Sequence, residues 1–217
     1  GGDQDKEILL QEVWNDSYQT QNLEGIDVQD KKTVLLYGRG FKKIGWDGDH
    51  SPIDPLDIFD VVIDPLVTPH ELESARFIVH QNIFRSLRDI LADDRYSKDG
   101  KNQLREFLES KDGIVASREN KEEWEKKQER LRAMGVDNDE FALFSGGDVI
   151  VNLTEHYTKV WNVAKKSFER KVVTYADDTI SLLDDTLGNL LGVDFWPFVT
   201  WGEDIETQDF WSDGPAD

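Results

Sequence analysis

The densest run of groups able to do chemistry is acidic: Asp47, Asp49, Asp54, Asp57, Asp60 and Asp64, with His50 among them. Carboxylates at this density are what a divalent cation or an acid–base hydrolase would use. A calcium loop needs glycine at its sixth position and a bidentate glutamate at its twelfth; counted from Asp47, those places hold Pro52 and Ile58. A second fit, counted from Arg95, matches Asp99, Gly100 and Glu106 but puts an arginine where the first ligand belongs. His50, His70, His80 and His156 have no zinc-ligand spacing, and no His-Glu-x-x-His occurs. Gly38-x-Gly40 precedes an expected strand rather than opening a helix, and Gly-x-x-x-x-Gly-Lys is absent. Neither dinucleotide nor P-loop phosphate binding is supported, and the two glycines are expected to end a helix. Ser145-Gly146-Gly147 lacks the Gly-x-Ser-x-Gly elbow of a nucleophilic serine. Asp177 and Asp178 are an acid–base pair by type, but chance adjacency accounts for them in a chain with 45 acidic residues. Asn15-Asp16-Ser17 and Asn152-Leu153-Thr154 match the glycosylation sequon, which has meaning only in a secreted protein. The expectation is no catalytic, cofactor-binding or metal-ligating residue, and no cofactor.

The elements that would position these groups follow from periodicity and punctuation. Residues 5–21 place Ile8, Leu9, Val13 and Trp14 near one helical face. Asp27 is an expected N-cap for a helix ending at Tyr37, with Val34, Leu35 and Leu36 turned inward before Gly38. A strand is expected from Phe41, turns from Gly48 to Pro55, and a buried strand over 58–63 stopped by Asp64-Pro65. Thr68 and Pro69 read as N-cap and N1 of a short helix to Ala75. A strand over 76–84, a helix over 87–92 started by Ser86, and a helix over 101–111 with Leu104, Phe107 and Leu108 on one face come next. Ser117 is the expected cap of a helix ending at Gly135, with Trp124 and Leu131 as its main apolar positions. Polar nearly all round, this helix should be solvated, projecting or covered by another chain. The last third changes period to strands over 149–160, 168–176 and 179–183, with an edge strand over 195–201 marked by Pro197 and an acidic tail over 202–217. These elements predict an α+β fold with N-terminal and central helices and mostly antiparallel strands, the late ones forming a small sheet. They are expected to make one domain over 1–217, with a helical lobe over about 3–135 and a β-rich lobe over about 140–217.

Composition bounds the partners. The chain has 217 residues, 25 basic against 45 acidic, a formal charge of −20, no cysteine, seven tryptophans and eleven phenylalanines. A folded chain of this size buries about 70% of the surface its unfolded state exposes, so it needs no metal or disulfide staple. Its aromatic content excludes a disordered acidic tail, and the missing cysteine excludes thiol catalysis. No run approaches the roughly 20 apolar residues of a membrane span, and the first residues carry neither the basic nor the apolar region of a secretory signal. Nucleic-acid affinity rests on cations displacing phosphate counterions, so tight duplex binding is not expected of so acidic a chain.

Several segments resemble, in order, the wing region of tailed-bacteriophage portal proteins, the ring at the head–tail vertex. Residues 37–47 (YGRGFKKIGWD) resemble that family's helix-to-strand turn. Residues 58–84 (IFDVVIDPLVTPHELESARFIVHQNIF) resemble its strand ending in Asp-Pro with the helix and extended segment that follow, and 151–161 (VNLTEHYTKVW) one of its strands. Residues 171–185 (KVVTYADDTISLLDD) resemble its valine-rich hairpin, and 195–217 its Pro-Phe-Val passage. The resemblance implies a non-enzymatic structural protein of the virion, present in the host bacterial cytoplasm during assembly. It implies partnership with other portal subunits and with capsid and tail or packaging-motor proteins, and passage of DNA without tight specific binding. The family's stem, clip and crown have no counterpart here, so the chain reads as a fragment, expected to be monomeric alone. The charged segment over 101–134 departs from the family pattern. Two other readings stand beside it: an acidic metal-dependent hydrolase using the Asp47–Asp64 region, and an acidic protein-binding module anchored by Trp124, Trp201 or Trp211.

Overall fold

A computed structural model describes residues 2–46, 51–68, 71–135, 148–202 and 210–211. In chain order the elements are α1 (Gly2–Thr20), α2 (Leu23–Tyr37), β1 (Arg39–Ile44), β2 (Ile53–Pro55), β3 (Val61–Ile63), β4 (Phe77–Ser86), α3 (Leu87–Ala92), α4 (Lys98–Glu109), α5 (Lys111–Ala133), β5 (Ile150–Asn162), β6 (Ser167–Ala176), β7 (Ile180–Thr186), α6 (Leu187–Leu191) and β8 (Phe198–Gly202). Single 3₁₀ turns occupy Ile58–Asp60 and Leu72–Ser74. The fold is α+β, with sheet orders β2-β1-β8 and β3-β4-β5-β6-β7 and antiparallel pairing throughout these ladders. The late strands β5–β7 do lie in one sheet, which the earlier β4 and β3 extend.

The chain divides into two compact units. One comprises Gly1–Ile58, Pro65–Glu73 and Trp196–Asp217; the other comprises Phe59–Asp64 and Ser74–Phe195. The lobe boundary expected between 135 and 140 falls inside the second unit, because β4 pairs with β5 from Phe77–Thr158 to Ser86–Ile150 across the intervening helices.

In the first unit, α2 ends where Gly38 takes a left-handed φ of 75° and donates its amide to the Val34 carbonyl at 2.8 Å. Only glycine does this without strain, so the chain turns directly into β1. Of the expected inward trio, Val34 is buried while Leu35 and Leu36 are exposed. Asp27 lies within α2 rather than capping it; the helix begins after Asn22, which adopts φ 50° and makes no side-chain cap. Phe41 is fully buried, with Phe198 and Phe210 at ring-centre distances of 5.6 and 6.2 Å. β8 is an edge strand, as Pro197 implies. The large apolar side chains of α1 are exposed.

In the second unit, Ile90, Tyr96, Leu104, Val151, Leu153, Ala176, Ile180 and Leu182 form one buried cluster between α3, α4 and the sheet. Residues 58–63 are not one strand: a 3₁₀ turn carries buried Asp60 and exposed Phe59, and only Val61–Ile63 pair with β4. The helix expected over 69–75 is reduced, among the described residues, to the 3₁₀ turn Leu72–Ser74; Pro69 and His70 lie outside them. Ser86 caps α3 as expected, while Ser97 and Ser110 cap α4 and α5 through the amides of Gly100 and Gly113. Ser117 is therefore interior to α5, whose N-cap, Ser110, lies seven residues before the expected one. Ser110 is the sole joint between α4 and α5, and a Cβ on Gly113 would strike the Phe107 carbonyl and the Leu108 Cα. Rather than projecting bare, α5 buries a stripe of Asn120, Trp124, Gln128 and Leu131. Its spacing is helical, but half of it is polar, which hid it from a hydrophobicity reading.

Candidate functional site

Among the described residues the acidic run does not assemble into a cluster. Asp47, Asp49 and His50 lie outside the described residues. Asp54 is exposed on β2, Asp57 is half-buried in the first unit, and Asp60 and Asp64 belong to the second. The last two are buried and engaged by cations from distant segments. The Asp60 carboxylate accepts from Asn82 Nδ2 at 2.8 Å and faces Lys127 Nζ at 2.5 Å. Lys127 also donates to the Asn82 carbonyl at 3.0 Å. Asn82 adopts φ 56° where the β4–β5 register shifts between His80 and Ile83, so this ammonium from α5 ties down both a bulge and the turn before β3. Asp64 accepts a bidentate pair from Arg76, Nε at 2.6 Å and a terminal nitrogen at 2.7 Å, and a third bond from the Arg76 amide at 3.1 Å. Among the described residues no three histidine or acidic groups stand close enough to hold a metal ion.

Gly40 has a positional use beyond ending a helix. A Cβ there would strike the buried Asp30 carboxylate, which accepts from Trp201 Nε1 and lies 3.2 Å from Lys42 Nζ. Lys42 also reaches Asp27 Oδ1 at 2.7 Å. Gly100, matched in the second calcium fit, serves packing: a Cβ would strike the Ser181 carbonyl. Asp177 and Asp178 form the β6–β7 turn, with φ 46° and 59° at its two central positions and a bond from the Thr179 amide to the Ala176 carbonyl at 3.2 Å. That is the primed geometry that favours Asn, Asp and Gly in tight hairpins. Asp177 Oδ1 accepts from Asn120 Nδ2 at 2.8 Å, and Asp178 Oδ1 from Thr154 Oγ1 at 3.1 Å. Burial, then the charge of Asp178, raises the Asp177 pKa against the hydrogen bond from Asn120. Ser145, Gly146 and Gly147 lie outside the described residues.

One constellation escaped the sequence because its members are paired only by strand register. His80 opposes Glu155 in the β4–β5 ladder, with His80 Nδ1 3.8 Å from Glu155 Oε2, and Tyr157 donates to the same oxygen at 2.8 Å. All three are largely buried. Burial first, then Glu155, raises the Tyr157 hydroxyl well above the ordinary tyrosine range, and burial pushes Tyr96 up to about 12. Both phenols are thereby held further from ionisation, and His80, Glu155 and Tyr157 all hang from the paired strands β4 and β5. Nearby, burial pushes Asp93 up, but two hydrogen bonds and the charge of Arg95, with the charge of Arg85, outweigh it and leave its pKa lowered. His156 stacks edge-on against Tyr175 at 5.6 Å. Alternating strand periodicity exposes these positions, but no spacing in the chain announces that residues 80 and 155 meet.

Among the described residues, two of the exposed apolar surfaces bring an aromatic ring together with other large apolar side chains. On α1, Leu9, Leu10, Val13 and Trp14 form one helical stripe open to solvent. At the β5–β6 turn, Trp161 and Phe168 face each other edge-on at 5.1 Å beside exposed Val163. Of the suggested anchors, Trp124 is buried, Trp201 donates to Asp30, and Trp211 packs its ring against Phe210 at 5.0 Å. No protein-family model matches the chain, and no curated protein sequence matches it.

Proposed function

We propose that the chain is a structural, non-enzymatic part of a tailed-phage portal ring, its wing region, working by assembly around translocating DNA within the virion. The observation that supports this best is where the portal-like segments fall in the fold. Residues 37–47 carry a helix ended by Gly38 and running straight into β1, and 171–185 carry the tight β6–β7 hairpin, the two local structures that the resemblance implies. The engagement of Asp60 and Asp64 by Lys127 and Arg76 supports a structural reading over the hydrolase, since a buried carboxylate already held by a cation is not offered to substrate.

The test is electron microscopy of the product of the complete open reading frame that contains these residues. Rings with an axial channel are the expected result. Discrete monomers that hydrolyse phosphate or glycoside bonds only with a divalent cation would overturn the proposal in favour of the enzyme.

A further inference from the structure

We infer that the β5–β6 hairpin tip of one copy docks on the apolar stripe of α1 in a second copy, a head-to-tail contact between two different surfaces of the same chain. The tip is a built structure. Asn162 Oδ1 accepts the amides of Ala164 and Lys165 at 2.9 and 3.0 Å, its Nδ2 donates to Glu169 at 2.7 Å, and Lys166 takes the left-handed φ of 51° that closes the turn. This frame holds Trp161, 53% exposed, against Phe168, 62% exposed, with Val163 78% exposed at the apex. Large aromatic residues held this far in water are the usual anchors of an interface.

Charge selects the occupant. From Lys159 to Lys171 the hairpin carries five cations and one carboxylate; Lys165 faces that Glu169, and Arg170 and Lys171 face Asp194 and Asp184, so an excess of two positive charges remains, in a chain whose total is −20. Its complement is therefore an apolar surface with an acidic rim. The α1 stripe of Leu9, Leu10, Val13 and Trp14 is one: by helical spacing, Asp5, Glu12 and Asp16 border one side of it and Glu7 the other, while Lys6, the single cation from Asp5 to Tyr18, lies in line with the stripe one turn before Leu10. A partner apolar stripe with the same rim would be repelled, so neither tip-to-tip nor helix-to-helix pairing satisfies both patches. Pairing of unlike patches does, and a contact of that heterologous kind either closes a ring or runs on as a filament. The contact stands without the portal reading; its closure into a ring rests on it.

The chain has no cysteine, which makes the test direct. Val163→Cys and Leu10→Cys chains, one of them carrying a mass tag, are mixed in equal amounts and oxidised. Random collision gives as much mixed dimer as both homodimers together. The expected result is a several-fold excess of mixed dimer, reduced by 0.5 M salt and lost in the Trp161→Ala/Phe168→Ala and Lys165→Glu/Lys166→Glu backgrounds, each verified as folded by circular dichroism. A statistical mixture, or a predominance of either homodimer, overturns the inference. So does a short DNA duplex that binds the tip and abolishes the mixed dimer, which makes the tip a nucleic-acid grip instead. The doubly substituted Leu10→Cys/Val163→Cys chain separates the two readings: a ladder ending in one closed species supports contact and ring together, whereas an open-ended ladder keeps the contact and removes the portal geometry.

Discussion

Replacing Lys127 with methionine isolates the energetics of the buried acid at the start of β3. Methionine keeps an unbranched apolar stem and removes only the ammonium, leaving Asp60, 2% exposed, with Asn82 Nδ2 as its remaining neutral donor. Removing one partner of a buried pair costs about 3–5 kcal/mol, because the remaining charge stays desolvated. At roughly 2–4 °C per kcal/mol for a chain of this length, the melting temperature should fall by about 6–20 °C. The Asp60→Asn/Lys127→Met double variant keeps an acceptor for Asn82 and buries no charge, so it should recover more than half of the loss. Urea unfolding read by hydrogen exchange of the 77–86 and 150–162 segments measures the second unit by itself. A loss in Lys127→Met below about 1 kcal/mol, the worth of an exposed pair, or a double variant no better than the single one, would refute the reasoning.

Three further outcomes follow from particular contacts. Gly113→Ala should cost about 1–3 kcal/mol or more by thermal melting, since its Cβ meets backbone at Phe107 and Leu108, whereas Gly188→Ala, with nothing within 4 Å, should be neutral or stabilising by up to about 1 kcal/mol. Asp177→Asn should raise stability at pH 7, because the amide keeps an acceptor for Asn120, suits the turn and removes a charge facing Asp178. With its folded-state pKa raised, native Asp177 takes up its proton first as pH falls, so the advantage of the variant over the parent chain should shrink through that range. Duplex DNA should not bind measurably at physiological salt in fluorescence anisotropy, because Lys165, Arg170 and Lys171 are already held by Glu169, Asp194 and Asp184; submicromolar affinity with a steep salt slope would contradict this.

The parts of the fold legible in the sequence are those set by local rules. Gly38 ends a helix because its neighbours demand a left-handed residue, Ser86 caps α3 through the Asp89 amide, and Pro197 keeps β8 at an edge. Local rules failed where a distant partner decides. Asp60 leaves a strand pattern for a 3₁₀ turn because Lys127, far along the chain, holds its carboxylate. The α5 stripe reads as polar because Asn120 donates to Asp177 and Gln128 is buried beside Trp124 and Leu131. The α1 face reads as core because apolar spacing shows that a surface wants cover and not which chain supplies it. The same limit hid the His80–Glu155 pair, which only the β4–β5 register brings together.

The distribution of charge separates what holds the chain together from what it offers outward. Asp30, Asp60 and Asp64 are buried, and each has a cation beside it: Lys42, Lys127 and Arg76. Those carboxylates tie α2 to β1, the turn before β3 to α5, and the end of β3 to the start of β4, and substitution there should move stability while leaving association between folded chains unchanged. The exposed residues of the α1 stripe and the hairpin tip make the opposite claim. Trp161, Val163 and Phe168 are each more than half exposed, so their removal should cost little on folding and act on association. Measuring both quantities for Lys127→Met and for Trp161→Ala/Phe168→Ala therefore tests the division itself: if the tip variant unfolds the chain, or the buried variant alters cross-linking among molecules that remain folded, the assignment of structural and interacting surfaces is wrong.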